Sequence, residues 1–146
     1  MTFRMDKLTI KGQEAIVEAQ ALATSSGNPE IEGLHLLTAL LKDNEGVVVP
    51  LLKKIGAPFE KIRATCDSEL QRLPRSSGGR QPSIGPSLQK SLEAASAAAD
   101  AMKDEFVSTE HLLLGLCRTE NKASSLLKLL GVSEPDILSE IGRAHV

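Results

Sequence analysis

A chain of 146 residues, 41% hydrophobic and 25% charged, is long enough to bury a core without a disulfide or a metal. Its formal net charge is -2, and it is evenly spread: residues 1–73 carry nine basic and ten acidic side chains, residues 74–146 eight and nine. That balance excludes the basic footprint of a nucleic-acid binder, and the absence of Trp and Tyr leaves little for base stacking.

Phe3, Phe59 and Phe106 are the only aromatic residues, so the core must be built from Leu, Ile, Val and Ala, a set that favours helices. The start, Met1-Thr2-Phe3-Arg4-Met5-Asp6, has no apolar signal-peptide core, and no stretch approaches the ~18 apolar residues of a membrane span. Cys66 and Cys117 show no metal or redox spacing and read as reduced, packed thiols. These features together predict a soluble, cytoplasmic protein.

The first predicted helix covers residues 10–23, with Thr9 capping its free amides. The second covers 33–42 and places Leu36, Leu37 and Leu40 on one face. A short third helix, 48–55, stops at Gly56, where a left-handed backbone costs glycine little. The fourth starts at Pro58, as a first-turn proline, and runs to about 72. Residues 74–86 are rich in Pro, Gly and Ser and read as a linker.

The fifth helix, 87–102, is rich in Ala, so a neighbour can approach it closely. The sixth covers 109–118, with Ser108 as its N-cap and Glu110 in its first turn, beside the positive end of the helix dipole. A seventh, 123–130, ends at Gly131, and Ser133 caps an eighth that runs to about 143.

The second set of four helices repeats the first. Displaced by 76 residues, Gln13 falls on Gln89 and His35-Leu36-Leu37 on His111-Leu112-Leu113. With one residue deleted in the next loop, Leu51-Leu52-Lys53 falls on Leu126-Leu127-Lys128 and Gly56 on Gly131. The expected fold is therefore all-α: two four-helix repeats (about 8–73 and 87–146), related by a pseudo-twofold axis and packed into one globule.

Chemistry is sparse in this pattern. There is no phosphate-binding G-x-x-x-x-G-K-S/T, no C-x-x-C and no H-E-x-x-H. His35 and His111 read either as a catalytic or metal-binding pair, or as one structural histidine occurring in both repeats; the duplication favours the second. Cys117 with His111 could make a nucleophilic pair, but no orienting third group is visible. Asp104, Glu105 and Glu110 read as acid–base groups, as dipole partners of the sixth helix, or as the charged rim of an apolar groove.

Met5-Asp6-Lys7-Leu8-Thr9-Ile10-Lys11, Asn28-Pro29-Glu30-Ile31-Glu32 leading into His35-Leu36-Leu37, and Phe106-Val107-Ser108-Thr109-Glu110-His111 carry a resemblance to the Clp N-terminal repeat domain. Leu8-Thr9 and Arg72-Leu73-Pro74 are similar to the ClpB branch of the AAA+ disaggregases. The resemblance covers essentially the whole chain. It implies a non-enzymatic domain that engages unfolded or aggregated polypeptide for a hexameric ring. ATP and Mg would be bound by downstream modules only, and the DnaK system would cooperate in heat-stress recovery. The isolated domain would be a monomer, without nucleic-acid or membrane partners. The alternative it implies is an adaptor-docking domain of a protease-coupled Clp ATPase.

Residue by residue, the resemblance assigns chaperone-linked roles to Thr9, Asp104 and Glu110 and a groove floor to Leu88, Leu92 and Leu112. The chain departs from the family pattern at Ala94, Ala98 and His111, where larger aliphatic residues are common or can occur, which implies a shallower or more polar groove.

Overall fold

Helices make up about two thirds of the described residues in a computed structural model that describes residues 4–76 and 81–144. The polar start at residues 1–3, linker residues 77–80 and His145 lie outside the described residues. The first repeat comprises α1 (Ile10–Ser25), α2 (Gly33–Lys42), α3 (Val48–Ile55) and α4 (Phe59–Leu70). The second comprises α5 (Pro86–Ala101), α6 (Thr109–Arg118), α7 (Lys122–Leu129) and α8 (Glu134–Ala144).

The helix ends follow the expected chemistry with small shifts. The Thr9 hydroxyl accepts the Gly12 N–H at 3.1 Å and caps α1. Gly56 and Gly131 both take φ 86° and close α3 and α7 in the left-handed region. Pro58 is not the first residue of α4 but its N-cap, with ψ 80°, so the helix starts at Phe59. Asn121 was not foreseen: its side chain accepts the Ser124 N–H at 2.8 Å and starts α7 one residue early.

α2 and α6 form the centre. Every residue of α2 except Lys42 is buried, and in α6 Leu112, Leu113, Leu114 and Leu116 are at most 1% exposed. α5 lies very close to α6 because Gly115 has no side chain. A Cβ there would overlap the Ser91 carbonyl oxygen and stand 2.8 Å from the Ala95 nitrogen. The small residues Ala95, Ala98 and Ala99 are all buried.

The repeats interlock through short parallel pairings. The segment before α2 forms β1 (Glu30–Ile31), which pairs with β2 (Ser83–Ile84), the segment before α5. Reciprocally, Leu8 before α1 pairs with Val107 before α6, with Thr9 N–H donating to Val107 O at 3.0 Å and Val107 N–H to Lys7 O at 2.8 Å. Each repeat thus lends a strand to the other, as an approximate twofold axis requires. The segment expected to be a plain linker is docked at both described ends. Asn28 Nδ2 donates to Pro74 O at 3.0 Å, Ser76 N–H to Gly27 O at 2.7 Å, and Leu73 and Pro82 are buried.

Candidate functional site

The two histidines occupy equivalent places. His35 Nδ1 accepts the Glu32 N–H and His111 Nδ1 the Ser108 N–H, each at 2.9 Å. The proton therefore sits on Nε2, which donates to Asn28 Oδ1 in the first repeat and to Asp104 Oδ2 in the second, again at 2.9 Å each. Both histidines are thus structural ties between a helix start and the preceding loop. Burial pushes His35 down to about 4, so it stays neutral.

Asp104 stands 76 residues beyond Asn28 and does the same job with a carboxylate. Replacing it with Ala strands the Nε2–H of His111, which is 2% exposed, and is expected to cost about 1–3 kcal/mol. Asp104→Asn copies the first repeat and should stay within about 0.5 kcal/mol of the parent in urea unfolding. A large loss in the Asn variant would show that the repeats are not interchangeable here.

The Cys117–His111 pair does not assemble into a nucleophile. Burial pushes the Cys117 thiol up to about 12, and both His111 ring nitrogens are engaged. Cys66 is buried and likewise pushed up to about 12. Among the described residues no group of three or more His, Cys, Asp or Glu could hold a metal ion, and no helix is long and apolar enough to cross a membrane.

The expected groove floor is not accessible. Leu88, Leu92 and Leu112 are 1%, 0% and 1% exposed and belong to the core. With α6 this near α5, a ligand would have to part the helices to reach them. Their helical spacing marked an apolar face correctly, but that face is spent on packing. Ala94 is half-buried, and Ala98 is buried with His111.

Thr9, Asp104 and Glu110, in contrast, lie on the segments flanking the Leu8–Val107 bridge. Thr9 is half-buried and bonded to Val107. The Asp104 side chain is 22% exposed, and Glu110 is half-buried in the first turn of α6. The same segments carry Ile10 (77% exposed), Phe106 (47%) and Met5 (42%). These three residues were not singled out from the sequence. The duplication held the signal: their counterparts 76 residues away are Pro86, Glu30 and Gln81. Among the described residues, one of the two symmetry-related seams exposes three large apolar side chains and the other exposes one, Ile84.

A cavity of about 300 Å³ adjoins this seam through Lys11 and Thr109. Ala15, Ala39 and Leu40 form its floor. Its rim is bridged between α1 and α2 by Lys11–Asp43 at 3.4 Å and Lys42–Glu18 at 3.5 Å. This is an apolar hollow with a mixed-charge rim.

Comparison with known proteins agrees with this fold. The family model of the Clp repeat (R) N-terminal domain matches residues 7–130. The chain is 49% identical to the chaperone protein ClpB of Rhodopirellula baltica over 98% of its own length and 40% identical to ClpB of Mycobacterium leprae over 90%. It spans 16% of the length of each of these relatives. Its fold is similar to the Hsp104 N-terminal domain from Candida albicans (TM-score 0.82, 20% identity, 92% of this chain and 88% of that one). It is also similar to a ClpV N-domain solved in complex with a VipB peptide (TM-score 0.74, 20% identity, 92% and 89%). The chain belongs to the Clp repeat N-terminal domain family, with ClpB chaperones among its relatives.

Proposed function

We propose that this chain is the polypeptide-engaging domain of an ATP-dependent protein disaggregase. The seam around Thr9, Asp104, Phe106 and Glu110 would take exposed apolar segments of unfolded or aggregated chains and pass them to a hexameric AAA+ ring. ATP and Mg would act in the ring and not in this domain, and the DnaK system would share the work in the cytoplasm. The observation that carries this reading is the asymmetry of the seams. One of two equivalent surfaces keeps Ile10, Phe106 and Met5 exposed, and Thr9, Asp104 and Glu110, to which the family resemblance assigns chaperone-linked roles, lie on the same segments. Single contacts there are weak, since each buried methylene adds about 0.8 kcal/mol before ordering costs. Six copies on one ring would multiply them.

Ile10→Ser with Phe106→Ser should weaken binding of a fluorescently labelled unfolded polypeptide about ten-fold, while both residues stay off the core. Leu129→Ser removes a side chain that is 82% exposed on α7 and should change nothing. Equal binding by all three proteins would sink the proposal, and a loss confined to Leu129→Ser would move the site to α7. Docking of a folded adaptor is the second reading, favoured by the ion-paired rim between α1 and α2. It predicts indifference to unfolded chains.

A further inference from the structure

The loop between α5 and α6 contains the one non-glycine residue with positive φ among the described residues, Lys103 at φ 61°. Its counterpart in the first repeat is Gly27 at φ 68°. The same turn is therefore made twice, once by the residue type that adopts it freely and once by a side chain that strains it. Nothing in the folding of the turn calls for lysine. The side chain is exposed, and no ion pair ties it to another described residue. It precedes Asp104, Glu105 and Phe106 directly, at the edge of the seam. A strained position held by a side chain without a structural task points to a task outside the fold.

We propose that Lys103 sets the charge preference of the seam by pairing with a carboxylate on the bound polypeptide, next to an apolar residue seated on Phe106. The surrounding groups make this specific. Asp104, Glu105 and Glu110 repel an acidic segment on the Phe106 side of the seam, where Lys103 is the ammonium nearest in sequence to the apolar contact; Lys7 and Lys11 stand on the facing segment and do not change in the test. The preferred segment is then apolar with an acidic flank, and the preference fades with salt. The inference rests on the seam being the polypeptide site.

The test uses the 146-residue chain and two labelled disordered peptides with the same Leu-Val centre, one flanked by Asp and one by Lys. Lys103→Gly should raise the melting temperature, because the strain is relieved, and weaken the Asp-flanked peptide about two- to five-fold, as for a lost exposed ion pair. It should not weaken the Lys-flanked peptide. Lys103→Arg should bind both as the parent does, and Lys103→Gln should show the binding loss without the gain in stability. If Lys103→Gly is more stable and binds both peptides as tightly as the parent, the proposal is overturned and the seam reading survives. If the parent binds neither peptide, both fall together.

Discussion

Gly115→Val is expected to destabilise the domain strongly. At this point α6 presents bare backbone to α5, and the first atom of any side chain would overlap the Ser91 carbonyl. That neighbour is helical backbone and cannot swing aside, so the two helices must part. Parting them exposes Ala95, Ala98 and Leu92 and breaks the 2.6 Å contact between the hydroxyls of Ser91 and Thr119. Overpacking of this kind costs about 3 kcal/mol, which for a chain of this length lowers the melting temperature by roughly 10 °C. Gly142→Ala is the control: a Cβ there meets nothing within 4 Å, and the change should stabilise α8 by about 0.5–1 kcal/mol. Thermal unfolding followed by circular dichroism reads both. A loss below 1 kcal/mol at Gly115 would mean that α5 is not held as described.

Acid should weaken the fold because of His35. Its folded-state value lies near 4 against 6.5 in the unfolded chain, so between those limits the unfolded chain holds the extra proton. Stability therefore rises with pH in this window and is lost as pH falls from about 6.5 towards 4, by roughly 3 kcal/mol at most. The physical event is protonation of Nδ1, which breaks its bond from the Glu32 amide and places a charge where there is almost no solvent. Urea midpoints at pH 7.0 and 4.5 measure the loss. His35→Gln cannot charge and should show a shallower drop over that interval; an equal drop would locate the acid-labile group elsewhere.

Much of the scaffold was legible because its signals are local. The Leu36-Leu37-Leu40 spacing, the Thr9 cap and the paired Gly56 and Gly131 are each read within a few residues. The repeat then checked one copy against the other. The docked linker was not legible, since β1 and β2 have two residues each and so short a strand shows no alternation. Of the candidate residues, family likeness led to Thr9, Asp104 and Glu110, which lie on the segments around the Leu8–Val107 bridge. Leu88, Leu92 and Leu112 were misplaced because helical periodicity tells which residues share a face but not whether a helix or a ligand covers it. What covers it here is set by Gly115, a glycine that only the structure shows to be a contact point. Ile10 and Phe106 were missed for the opposite reason: as isolated apolar residues they look unremarkable until the other copy shows Pro86 and Glu30 in their places.

The central claim, that the seam and not the α5–α6 interior receives polypeptide, is tested most directly by amide chemical shifts. The isotopically labelled chain would be titrated with an unlabelled, permanently unfolded polypeptide. Shifts concentrated in residues 5–11 and 103–110, with Leu88 and Leu92 unmoved, are the predicted result. Shifts centred on Leu88, Leu92 and Leu112, or none near the seam at saturating polypeptide, would contradict it.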